Sequence, residues 1–151
     1  MSERISNREF LAVMQEAFSR GQQLKFTPSG TSMLPMLDGM NDTVTFAEKP
    51  ERLKKYDVAF YQRNNGQLVL HRVVKLCGDG SYVFSGDNQY YYEPGIRDEN
   101  ILALMVAFTH GDKEHTTDDF SYRLYIHRMM LKKRLRIFAV KVYHKLFKRN
   151  R

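Results

Sequence analysis

The sequence predicts a mainly β protein: a small, coiled antiparallel sheet or partial barrel, framed by an N-terminal helix and a basic amphipathic C-terminal helix. Three observations carry this reading. Between Gln23 and Phe108, short stretches rich in Val, Phe and Tyr are punctuated by Pro, Gly and Asn, the pattern of antiparallel strands. At either end, apolar residues recur instead at steps of three and four, the helical spacing. Asn64-Asn65-Gly66 and Gly78-Asp79-Gly80 supply the residue types that tight turns require.

The elements follow in order. Ser6 or Asn7 caps a first helix, on which Phe10, Leu11, Val13, Met14, Ala17 and Phe18 recur until Gly21 stops it, so residues 1–22 form the N-terminal helical segment. This helix is expected to lie against a β domain over 23–108. Its candidate strands are 24–28, 43–46, 57–62, 68–76 and 82–85, with 101–108 as a closing strand. The Asn-Asn-Gly turn makes 57–76 a hairpin, and 68–85 continues as a meander. Residues 109–119 read as a polar loop. In 120–151, Leu131, Leu135, Phe138, Val142 and Leu146 form one stripe of a helix, while Lys132, Lys133, Arg136, Lys141 and Lys148 occupy other faces.

Composition bounds the function. A chain of 151 residues is one domain with an appendage, and a single cysteine, Cys77, excludes an internal disulfide and a cysteine-based zinc cluster. No metal and no cofactor is expected. The N-terminal MSERISNREF carries charge and no apolar stretch, so it does not read as a secretory signal, and the apolar run 101–106 is far too short to span a bilayer. The expected location is cytoplasmic. The net charge of +7 is segregated: 120–151 holds 11 of the 24 Lys and Arg and none of the 17 Asp and Glu, leaving 13 basic and 17 acidic residues before it. An anionic membrane surface is therefore a candidate partner of 120–151; the alternative is that the apolar stripe packs on the body and the charges are merely solvated. Clustered cations also attract nucleic acid, but no nucleic-acid-reading motif accompanies them, so no specific nucleic acid is expected.

Two segments carry chemistry. In Ser29-Gly30-Thr31-Ser32-Met33-Leu34-Pro35, a glycine and a proline flank Ser32, and a sharp turn there exposes a hydroxyl and frees backbone N–H groups for an oxyanion. The competing reading is a Ser/Thr loop whose hydroxyls satisfy their own backbone. On the strand Val69-Leu70-His71-Arg72-Val73-Val74, alternation places Val69, His71 and Val73 on one face and Leu70, Arg72 and Val74 on the other. Partial burial would keep His71 neutral, as a general base for serine requires. Arg72, pointing away, reads as a structural ion-pair partner.

Taken together and in order, Gly30-x-Ser32-Met33-x-Pro35, His71-Arg72 and Gly86-Asp87-Asn88 resemble the motif set of signal peptidase I, over roughly residues 24–108. The His-Arg pair is similar to the histidine-base branch, the archaeal and endoplasmic-reticulum type. The resemblance implies that fold type, Ser32 as nucleophile and His71 as general base. It also implies an acidic partner, for which Glu93 and Asp87 are the two candidates, and an oxyanion site made by backbone donors of Ser32 and Gly30. The partner it implies is a leader or signal-type peptide with small residues near the cleavage site. The chain departs from the family where Glu93 stands in place of an aspartate and where no N-terminal membrane helix is seen. A non-catalytic, peptidase-like module that binds a leader peptide or a membrane surface is the alternative.

Overall fold

The protein, seen in a computed structural model that describes residues 6–147, is mainly β, with an eight-stranded antiparallel sheet and two helices. The ends of the two predicted helical segments, 1–5 and 148–151, lie outside the described residues. The chain divides into two units at Thr116/Thr117, the first holding one helix and the sheet, the second the other helix.

Helix α1 spans Asn7–Ser19. Ser6 caps it: its hydroxyl oxygen accepts from the Glu9 N–H at 3.2 Å, and its own N–H donates to the Glu9 carboxylate at 2.8 Å. The chain leaves the helix through Gly21, whose φ of +67° suits glycine. Phe10 meets Phe26 at 4.8 Å and Phe60 at 5.9 Å between ring centroids, and Met14 is buried, so the apolar face seals one side of the sheet.

The strands are β1 (Leu24–Phe26), β2 (Val44–Ala47), β3 (Val58–Gln62), β4 (Leu68–Leu76), β5 (Tyr82–Ser85), β6 (Glu93–Ile96), β7 (Ile101–His110) and β8 (Lys113–Thr116). Their order is β1-β2-β7-β3-β4-β5-β6, with β8 beside the far half of β7, and this path does not close. The β3–β4 hairpin turns through Gly66, at φ +83°, and its register sets Ala59 opposite His71 and Tyr61 opposite Val69. Tyr61 is therefore the diagonal neighbour of His71 on one face. That face carries a core of Leu53, Val69, Val73, Tyr82, Phe84 and Ile96, while Phe46 and Phe60 stack at 5.2 Å on the other. A bulge between Val73 and Lys75 ends the strict alternation of β4.

Two strands go beyond the sequence reading. β6 contains Pro94 and Gly95, and it lies at the sheet edge, where a missing N–H disturbs no ladder. The expected loop at 109–119 is largely a hairpin: β7 runs on to His110, Gly111 turns at φ +59°, and β8 returns along it. Its polar side chains suit an exposed edge. In the second unit, helix α2 spans Phe120–Phe147. The stripe of Leu131, Leu135, Phe138, Val142 and Leu146 is exposed. Among the described residues, no helix is long and apolar enough to cross a membrane.

Candidate active site

Ser32 lies in the long connection between β1 and β2. Met33, Met36 and Leu37 bury their side chains and fasten this loop, which leaves Thr31 exposed and Ser32 half-buried. Gly30 takes a φ of +96° just before it. Two glycines let the backbone crowd here. A Cβ on Gly39 would stand 2.2 Å from the Gly30 carbonyl oxygen, and one on Gly86 would stand 2.6 Å from that of Ser32. The turn at Gly86-Asp87-Asn88 then grips the loop: the Asn88 N–H donates to the Ser32 carbonyl at 2.9 Å, and its side-chain amide donates to the Thr31 carbonyl at 3.2 Å.

Arg72 and Asp87 lock these parts together. The guanidinium is buried, and its Nε and Nη2 donate to the two oxygens of Asp87 at 2.8 and 2.7 Å. Nη1 donates to the Tyr56 carbonyl at 3.0 Å, and Nη2 lies 3.1 Å from the Met36 sulfur in the serine loop. The geometry is the bidentate fork that suits a desolvated Arg–carboxylate pair. Asp87 thus pairs with Arg72, while Glu93, the other candidate carboxylate, lies on the His71 side.

Glu93 reaches His71 through a residue that the motifs do not contain. His71 is buried at 2% exposure, with Nδ1 3.2 Å from the Tyr61 hydroxyl, which donates to Glu93 Oε2 at 2.8 Å. Glu93 Oε2 itself lies 4.0 Å from Nδ1. Arg63 holds the same carboxylate from the other side, Nε at 2.6 Å and Nη2 at 2.5 Å. Burial works against a charged Glu93, but the bonds from Arg63 and Tyr61 outweigh it and hold the carboxyl below its ordinary pKa. Burial, with the bond to Glu93, pushes the Tyr61 phenol upward, so it keeps its proton. With that proton committed to Glu93, the phenol oxygen is left to accept from His71. The imidazole consequently carries its proton on Nδ1 and its lone pair on Nε2.

Ser32 and His71 line one cavity of about 270 Å³, together with Gly30, Met33, Leu70 and Tyr91. Among the described residues, the Ser32 hydroxyl makes no hydrogen bond, so the two groups share a space and are not joined. Among the described residues, the backbone N–H groups of Ser32 and Gly30 make none either. Chemically, the cavity brings together a hydroxyl and an imidazole, two of the groups that acyl transfer uses. Pro35 does not line it and is exposed. Among the described residues, no group of three or more His, Cys, Asp and Glu is placed to hold a metal ion.

Tyr61 and Arg63, which bond His71 and Glu93, are the neighbours of the candidate site that the sequence reading lacks. An aromatic residue within a strand reads as core, and only the register of the hairpin turns Tyr61 into a neighbour of His71. Their common face was nevertheless encoded: the Asn64-Asn65-Gly66 turn fixes the pairing, and Tyr61 and Arg63 follow Ala59 at steps of two. In comparisons with known proteins, no family model, no curated protein and no solved structure matches this chain.

Proposed function

We propose that this chain is a serine endopeptidase of the signal peptidase I type, with that family's coiled sheet, which cleaves a leader or signal-type peptide. One observation carries the reading: Ser32 and His71 line the same cavity, and His71 is backed by a hydroxyl and a carboxylate that fix its tautomer. In the reaction, Ser32 Oγ attacks the peptide carbonyl while His71 Nε2 takes its proton. The new oxyanion is received by the backbone N–H groups of Ser32 and Gly30. The imidazolium keeps its Nδ1 proton on Tyr61, is stabilised by ionised Glu93, and gives the Nε2 proton to the leaving amine. Water then repeats the sequence on the acyl-enzyme and restores Ser32. The substrate is an extended peptide with small residues near the cut.

A non-catalytic peptidase-like module is the second reading, favoured by the absence of a hydrogen bond from the Ser32 hydroxyl. Hydrogen bonds of this kind often tighten only when substrate is bound. The two readings separate on labelling with a serine-reactive phosphonate, followed by intact mass. Endopeptidase chemistry requires one adduct on the wild type and none on Ser32→Ala or His71→Ala. A folded wild type that stays unmodified while a control serine hydrolase is labelled supports the binding module instead.

A further inference from the structure

We propose that α2 lies in the interface of an anionic bilayer, with one apolar stripe among the acyl chains and its cations on the lipid phosphates. Unlike the peptidase reading, this rests on α2 alone. At 100° per residue, Phe120, Leu124, Leu131, Leu135, Phe138, Val142 and Leu146 fall within a wedge of about 80°, along a helix about 42 Å long. All seven are exposed, Phe120 at 81% and Phe138 at 67%. Cations edge the stripe on both sides: Arg128 and Lys132 along one, Arg134, Lys141 and Lys145 along the other, each exposed. Residues 120–147 contain no Asp or Glu.

This arrangement selects its occupant. A second copy of α2, set stripe to stripe, would bring cations against cations with no carboxylate on the helix to pair them. A nucleic acid would use the cations and leave seven apolar side chains in water. A bilayer surface with anionic headgroups meets both demands: the apolar side chains enter the acyl boundary while Lys and Arg extend their stems to the phosphates. The wedge is too narrow and the helix too charged for a spanning orientation, so α2 lies in the membrane plane.

The test uses the full chain and vesicles of phosphatidylcholine and phosphatidylserine in a ratio of about 7 to 3, with pure phosphatidylcholine as reference. Binding to the mixed vesicles is expected to exceed binding to the neutral ones at least about tenfold, from the attraction of several cations to the charged surface. The chain has no Trp, so Phe138→Trp provides a single indole in the stripe, and Val140→Trp one on the opposite side of the helix. Mixed vesicles should move the emission of Phe138→Trp to shorter wavelength and leave that of Val140→Trp nearly unchanged. Leu131→Ser with Leu135→Ser, both at exposed positions, should lower binding at least about tenfold without loss of helical circular dichroism. Equal binding to both vesicle types, or none, overturns the proposal. So does adsorption with an unshifted Phe138→Trp, which is charge attraction alone. A blue shift of Phe138→Trp that appears without lipid and rises with protein concentration assigns the stripe to a second copy instead.

Discussion

Tyr61 is the residue on which the state of His71 turns. Its hydroxyl accepts from Nδ1 and donates to Glu93, so the charge that would stabilise an imidazolium acts across a phenol at 4.0 Å. Tyr61→Phe keeps the ring that packs on Phe84 at 4.6 Å but removes this link. The expected result is a fall of about 10- to 100-fold in phosphonate labelling and peptide cleavage, up to the lower end of what general-base catalysis supplies, because the base itself stays in place. The ¹⁵N shifts of the imidazole should show Nδ1 losing its fixed proton, a change that loss of packing would not cause. That Ser32 and His71 share one cavity was legible in the sequence to the extent that both sit in ordered, spaced motifs. Glu93 and Asp87 were not separable there. Both are carboxylates near one turn, and only the fold gives one to Arg72 and the other to Tyr61.

Among the elements, the turn at Gly86-Asp87-Asn88 does more than connect β5 to β6, since it sets the height of the Ser32 loop. Gly86→Ala places a methyl group 2.6 Å from a backbone oxygen that the neighbouring hydrogen bond holds in place. Overpacking of this kind costs about 1–3 kcal/mol. Denaturant unfolding should register that loss, and labelling of Ser32 should fall further than that of a surface Gly→Ala variant of equal stability. The central strands β3, β4 and β5, mostly buried on both faces, were legible from their Val, Phe and Tyr content and the turn residues between them. The edge strands β6 and β8 were not, because Pro94, Gly95 and a run of charges mimic loops. Edges tolerate such residues, since one side of each strand forms no ladder.

At the scale of the whole molecule, charge sets the acid limit. Glu9, Asp42, Asp79 and Glu93 are all held below their ordinary pKa values, whereas burial raises Asp57. A depressed carboxyl contributes stability that is complete above its unfolded pKa and is lost as pH falls through the folded one; a raised carboxyl does the reverse. With four against one, the melting temperature should hold steady down to about pH 4.5 and decline below it, as read by circular dichroism. Arg72→Met tests the central anchor. It leaves Asp87 buried without its cation, which should cost about 3–5 kcal/mol in chemical denaturation, and the further change Asp87→Leu should recover part of the loss.

The same anchor has a consequence for motion. Arg72 ties β4, the serine loop and the Asn88 turn into one cooperative unit, so the loop that carries Ser32 cannot open by itself in the way surface loops do. Its amide at Asn88 should exchange with solvent nearly as slowly as the central strands. On the proposed function, a peptide reaching Ser32 would meet a serine already in place, and whatever flexibility recognition needs would have to come from the peptide.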